Sequence, residues 1–184
     1  MSKGKLFVIS CASGVGKSTV LKRVMEERKD LTFSVSATTR LPRPGEVDGI
    51  SYYFITRAEF EDRIARGEFL EYDEHHAVLY GTLNSQILEK QEHSHVILDI
   101  EPNGAFNVRA KRPDATLIFI MPPSRVELAR GLRSRGDTSE EQITIRMARA
   151  DWEMEQSAKY DHVVINDQVE SCAEEILKII ADKA

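Results

Sequence analysis

Short, nearly continuous apolar runs alternate along this chain with longer stretches in which apolar residues recur every three or four positions. Leu6-Phe7-Val8-Ile9, Val96-Ile97-Leu98-Asp99-Ile100, Leu117-Ile118-Phe119-Ile120-Met121 and Val163-Val164-Ile165 are of the first kind, and Phe33-Ser34-Val35-Ser36 is a weaker candidate strand. Runs apolar at successive positions fit strands buried on both faces, as in a parallel sheet covered by helices. Between them, Val20, Leu21, Val24 and Met25 predict a helix that runs to about Arg28, and Ala173, Ile176, Leu177 and Ile180 share one face of a helix over about 169–181. Thr56-Arg57-Ala58-Glu59, Ser124-Arg125-Val126-Glu127 and Ser139-Glu140-Glu141-Gln142 each place a hydroxyl three residues before Glu or Gln, the pattern of a helix start whose side chains and backbone cap one another. The expectation is an α/β fold.

Two stretches break the alternation. Residues 37–83 are turn-rich and crowded with Arg, Glu and Tyr, and Arg130, Arg133, Arg135, Arg146 and Arg149 cluster further on. In an open α/β sheet ligands sit beyond the carboxyl ends of the strands, so insertions there act as binding lobes or lids. A chain of 184 residues holds one well-buried core, and 41% hydrophobic with 30% charged residues is an ordinary globular composition. The net charge of −5 argues against a general nucleic-acid binder, which needs a basic face. Two cysteines make no disulfide framework, and the five histidines show no metal-ligand spacing. The amino terminus enters a strand without a signal-peptide core and no run reaches membrane length, so the expectation is a cytoplasmic protein with neither membrane nor nucleic-acid partner.

The chemistry starts where the first apolar run ends. Ser13-Gly14-Val15-Gly16-Lys17-Ser18-Thr19 follows a strand and opens a helix. Gly14 and Gly16 let backbone N–H groups curl around a β-phosphate, Lys17 reaches toward the β- and γ-phosphates, and the Ser18 hydroxyl suits Mg²⁺. The chain is expected to bind a nucleoside triphosphate. The usual pattern opens with glycine where Cys11 stands; Cys11 reads as a small buried residue, or else as a thiol acidified by the helix start and Lys17. A second cluster lies at Ser36-Ala37-Thr38-Thr39-Arg40-Leu41-Pro42-Arg43-Pro44-Gly45-Glu46, where Arg40 and Arg43 on a proline-stiffened turn make a fork for a phosphate, or a solvated charged loop. Tyr52, Glu71, Tyr80 and Thr82 downstream suit a phosphate and a polar base.

Ala12 to Thr19, the Ser36 to Glu46 segment, Tyr80-Gly81-Thr82 and Asn166-Asp167, in order along essentially the whole chain, resemble guanylate kinase. The resemblance implies Mg²⁺-dependent transfer of the γ-phosphate of ATP to GMP or dGMP, giving ADP and GDP. It implies a P-loop NTPase-type sheet of five parallel strands flanked by helices, with an inserted GMP-binding lobe (37–83), a lid (124–156) and a core made of 1–36, 84–123 and 157–184. Both lobes then close on the bound nucleotides. Carried over residue by residue, it implies ATP contacts at Ala12, Ser13, Gly14, Val15, Gly16, Lys17, Ser18 and Thr19, with Asn166 near the donor adenine. Ser18 becomes a metal ligand, with Asp99 ending a strand where a carboxylate would hold a Mg²⁺-bound water. Ser36, Glu71, Thr82 and Glu101 fall around guanine, whose N1–H and 2-amino group match a carboxylate that adenine, with an acceptor at N1, would not. Arg40, Arg43, Tyr52 and Tyr80 fall at the acceptor phosphate. Lys17, Arg40, Asp99, Arg135 and Arg146 form the catalytic set, the last two as lid arginines.

The chain departs from that family at Cys11-Ala12 (for Gly-Pro), Leu83-Asn84 (for Pro and a basic residue) and Gly131 (for an arginine, with Arg130 or Arg133 as a nearby substitute). Glu101 and Asn103 replace Asp and Gln. Ala77-Val78 replaces Gly-Asn, and a positive φ at the valine would be strained. Two other readings stay open: a non-catalytic module that holds GMP or a phosphorylated partner, and a kinase of this fold with another phosphorylated acceptor. Lys17, Ser18, Arg135 and Arg146 favour the enzyme. Whether the chain is a monomer or a homo-oligomer is open.

Overall fold

The first apolar run becomes β1 (Leu6–Cys11), the central strand of a sheet ordered β2-β7-β1-β8-β9. Its other members are β2 (Leu31–Phe33), β7 (His95–Asp99), β8 (Thr116–Met121) and β9 (His162–Ile165), and every pairing in it is parallel. The computed structural model describes residues 3–75, 77–134 and 139–184. Alternation along the strands divides the core in two. Leu6, Val8, Val96, Leu98, Leu117 and Phe119 face α4 (Pro102–Lys111), α5 (Arg125–Ser134) and α6 (Glu140–Gln156). Phe7, Ile9, Ile97, Ile118, Ile120 and Val164 face α1 (Lys17–Glu27) and α7 (Val169–Lys183) through Val20, Leu21, Val24, Cys172, Ala173, Ile176 and Ile180. Burial on both faces is why the inner strands β1, β7 and β8 are apolar through their middles, whereas the edge strand β9 corrects the expectation of full burial by leaving Val163 and Ile165 exposed.

The candidate strand at Phe33–Ser36 requires correction. β2 ends at Phe33, the Ser34 N–H still donates to Ile97 O, and the chain then crosses into a second sheet. Leu31, 6% exposed, anchors the true strand. The second sheet is ordered β4 (Tyr53–Phe54), β3 (Ala37–Thr38), β6 (Val78–Leu83), β5 (Phe69–His75), with β6 antiparallel to both β3 and β5. α2 (Arg57–Ala65) covers it, and Phe60 stacks on Phe69 with ring centroids 4.2 Å apart. α3 (Asn84–Lys90) leads back to β7. A register shift between Phe69 and Glu71 re-aims β5 next to Glu71.

Of the capping boxes, the one at Ser139 is reciprocal: its hydroxyl accepts from Gln142 N–H while the Gln142 side chain accepts from Ser139 N–H. Thr56 and Ser124 make the hydroxyl half, while the carboxylates of Glu59 and Glu127 go to Arg63 and Arg130. The positive φ near Ala77-Val78 falls on Ala77, at 62°, so the valine is spared. Among the described residues no helix is long and apolar enough to cross a membrane.

Candidate active site

β1 and β7 are neighbours, so their carboxyl ends bring the loop after Cys11 and the turn after Asp99 side by side. Gly14 and Gly16 take φ of 96° and 89°, which only glycine adopts without strain. A Cβ on Gly14 would lie 2.7 Å from Leu132 Cδ2, so α5 packs directly on the loop. Gly16 caps α1, whose exposed first N–H groups and dipole favour an anion. Other loop members hold the turn itself: Ala12 O accepts from Val15 N–H, and Thr19 N–H donates to Gly16 O.

Lys17 pairs with Asp99 across the strand ends. Burial pulls the ammonium down, yet it stays above its ordinary value because the Asp99 carboxylate holds the proton by charge and by hydrogen bond. Cys11 is itself pushed up to about 11 by burial, which outweighs the nearby Lys17 charge. It is therefore a neutral thiol at ordinary pH, the inert one of the two readings, and Asp99 is the partner that keeps Lys17 charged.

A cavity of about 390 Å³ opens between the two sheets, lined by Ser36, Tyr52, Glu71, Tyr80 and Glu101 of the expected acceptor residues and by Lys17 and Asp99. Glu71 is 5% exposed. Burial pushes its carboxyl above the usual range, and the neighbouring Asp73 charge adds to this, against the hydrogen bond from Thr82. Thr82 Oγ1 donates to Glu71 Oε1 at 2.5 Å. Thr82 therefore lies behind Glu71 and does not line the cavity. Glu71 Oε2 has room because residue 104 is glycine: a Cβ there would stand 2.8 Å from it. A desolvated carboxylate with one oxygen facing a cavity favours a ligand edge rich in N–H donors.

Arg40 and Arg43 do not line this cavity. Both Arg40 Nη atoms donate to Glu46 at 2.6 Å, and its guanidinium lies over Tyr52 with 4.9 Å to the ring centroid. Glu46, held down to about 2 by these bonds, also accepts from Arg43 N–H. The fork is thus shaped by an acidic residue of its own turn, at the cavity rim beside Tyr52 and Tyr80.

A second cavity, of about 690 Å³, is lined by Cys11, Ser13, Lys17, Glu101, Gln142, Ile145, Arg146, Arg149 and Glu153. Arg146, one of the two arginines expected on a lid, lines this cavity; Arg135 lies outside the described residues. Ser18, Ser36, Tyr52 and Asp99 share a third cavity of about 430 Å³ with residues of α1 and β2. Asn166 was expected at the donor base, and its Nδ2 donates to Val15 O at 2.8 Å, tying β9 to the loop, while its buried Oδ1 has no hydrogen-bond partner.

Several lining residues escaped the sequence reading. Asp73, two positions after Glu71 on the same strand face, had period-two alternation as its signal. Arg149 follows Arg146 by three on one helix face. Gly104 and Glu153 had none, because their roles arise from elements distant in sequence. Glu153 is 3% exposed on α6, and its Oε2 accepts from Ser13 N–H at 2.7 Å. Burial raises its carboxyl above the usual range, against that N–H and Arg149.

A family model described as guanylate kinase matches residues 3–183. A guanylate kinase of Trichormus variabilis is 46% identical over 95% of this chain and 88% of its own length. One from Thermus thermophilus is 45% identical over 97% of this chain and 81% of its own. Among solved structures, a guanylate kinase from Anaplasma phagocytophilum superposes with a TM-score of 0.78 at 31% identity, over 99% of this chain and 87% of that one.

Proposed function

The chain belongs to the guanylate kinase family and transfers the γ-phosphate of ATP to GMP, and we propose that it does so across the Lys17 wall shared by the 390 Å³ and 690 Å³ cavities. That shared wall is the observation that carries the assignment of sites. ATP lies with its phosphates over the 12–19 loop, its base toward Asn166, whose buried Oδ1 can accept from an amino group. GMP lies in the smaller cavity. Glu71 accepts from guanine N1–H and the 2-amino group, Thr82 holds Glu71, and Ser36 and Glu101 complete the base contacts. Arg40, Arg43, Tyr52 and Tyr80 take the acceptor phosphate at the rim, where Arg40 exchanges Glu46 for phosphate oxygens. Residues 37–83 form the GMP lobe, 124–156 the lid that carries Arg135 and Arg146, and the remainder the core.

The reaction is an in-line displacement whose charge spreads over the equatorial oxygens of the γ-phosphate. Lys17 stabilises that charge, Arg146 approaches it from α6, and lid closure excludes water that would otherwise accept the phosphate. The Ser18 hydroxyl and Asp99 carboxylate line one cavity, and two hard oxygen donors there fit Mg²⁺, which takes few protein ligands and completes its shell with phosphates and water. When bound, the ion supplies charge neutralisation of the donor phosphates. A cytoplasmic setting, as a nucleotide-metabolising enzyme, belongs to the same proposal.

The test is ADP formation from ATP and Mg²⁺ with GMP, dGMP, AMP, CMP or UMP offered separately. Strong turnover with GMP, lost in Lys17→Ala by at least about 10² while GMP still binds, supports the sites as assigned. Loss of GMP binding in that variant would show that donor and acceptor sides are misassigned.

A further inference from the structure

Among the described residues, three line both the 390 Å³ and the 690 Å³ cavity: Lys17, Glu101 and Arg149. In the site assignment above, on which this inference rests, the γ-phosphate crosses from one cavity to the other. A group that walls both lies beside its path. Among the described residues the cations so placed are Lys17 and Arg149.

Arg149 projects from α6 one turn beyond Arg146. Its Nη2 donates to Glu101 and its Nε to Glu153 Oε1 at 3.2 Å, yet the side chain remains 39% exposed. Its partners are not equivalent. Glu153 is buried and already accepts from the phosphate loop at Ser13 N–H, so it anchors the arginine to that loop. Glu101 occupies the N-cap position of α4 without a side-chain capping bond and lines the acceptor cavity, so it is the exchangeable partner. Two arginines of α5 are elsewhere: Arg130 and Arg133 are paired with Glu127 and Glu140 at 76% and 56% exposure, and line a separate groove between α5 and α6. In this arrangement neither lines the cavity that Arg146 and Arg149 share.

We propose that Arg149 is a catalytic residue that leaves Glu101 for the γ-phosphate as it moves. In that step an oxygen of the GMP phosphate forms a bond to the γ-phosphorus. The bond from that phosphorus to the β-bridging oxygen breaks, and ADP leaves with the electron pair. Arg149 contacts the equatorial oxygens from the lid side, opposite Lys17, with Glu153 aiming it. The same exchange frees Glu101 to face the acceptor base.

The test compares kcat and GMP affinity in the full-length wild type, Arg149→Ala, Arg149→Lys, Arg130→Ala and the double variant Arg149→Ala/Glu153→Gln. Arg149→Ala is expected to lose on the order of 10² in kcat, with GMP affinity within about threefold of wild type. Lysine restores part of the loss, because it keeps the charge without the planar fork, and added guanidinium ion restores part of the alanine variant's rate. Arg130→Ala is expected to match wild type. A kcat for Arg149→Ala within about threefold of wild type overturns the proposal. So does recovery of wild-type rate in the double variant, since the defect would then come from a stranded Glu153 carboxylate. Failure of the wild type itself to phosphorylate GMP is a different result and would strike the site assignment.

Discussion

Replacing Glu71 by glutamine separates recognition from folding more cleanly than any other single change. The side chain keeps its volume and its Thr82 partner, since an amide oxygen still accepts the 2.5 Å hydrogen bond. What changes is the atom facing the cavity beside Gly104, where carboxylate Oε2 becomes an NH₂. Against guanine this sets donor against donor. If the amide turns over, one acceptor and the negative charge are still gone. A hydrogen bond to a charged group contributes about 1.5–3 kcal/mol, so GMP affinity should fall roughly 10- to 150-fold. Stability should move the other way. The folded-state pKa of Glu71 is raised by burial, so its contribution to stability is complete at low pH and is lost as pH rises through that pKa. Glutamine never ionises and keeps it. The variant should therefore melt at or above the wild-type temperature near neutrality, and the difference should vanish below the ordinary glutamate value of 4.5. Calorimetric titration with GMP and AMP, alongside thermal unfolding, reads both effects. Unchanged preference for GMP over AMP would remove Glu71 from base recognition, and a lower melting temperature at neutral pH would refute the burial argument.

The same carboxylate makes GMP affinity pH-dependent: below the raised pKa of free Glu71, affinity should fall toward tenfold per pH unit, a slope that Glu71→Gln should lack. GMP's own second phosphate ionisation near about 6 stays common to both proteins. Gly104→Ala puts a methyl 2.8 Å from Glu71 Oε2 and 3.3 Å from Ile100 Cδ1, so it should weaken GMP binding while the protein stays folded; unchanged affinity in a titration would mean that Glu71 has another place to go. Ala77→Gly relieves a non-glycine residue held at φ 62° and should raise the unfolding free energy in urea by up to about 1 kcal/mol; destabilisation would contradict this. Cys11, pushed up to about 11, and Cys172, to about 12, should resist iodoacetamide at pH 8 in the native protein and react on unfolding. Rapid native labelling of Cys11 would restore the activated-thiol reading.

The central sheet was legible because its inner strands are buried on both sides, which leaves a local mark: every position of Val96–Leu98 or Leu117–Ile120 must be apolar. The phosphate loop was legible for a related reason, since backbone N–H groups, two glycines, a lysine and a hydroxyl all act within seven consecutive residues. β2 was misplaced by two to three residues because Phe33–Ser36 has a strand-like composition while its chain is leaving one sheet for another. Nothing local records that crossing.

By itself, then, the amino-acid order determined the elements whose chemistry is contiguous: the strands, the loop, the arginine-bearing turn and the family they resemble. Only the tertiary structure decided which groups meet. It set Thr82 behind Glu71, made Gly104 the space for that carboxylate, paired Arg40 with Glu46, and brought Glu153 of α6 onto Ser13, 140 residues away. The physical reason is one of range. Periodicity and turn chemistry are written over a few residues, whereas the desolvation of a carboxylate and the choice of its partner depend on elements that the fold alone brings within hydrogen-bonding distance.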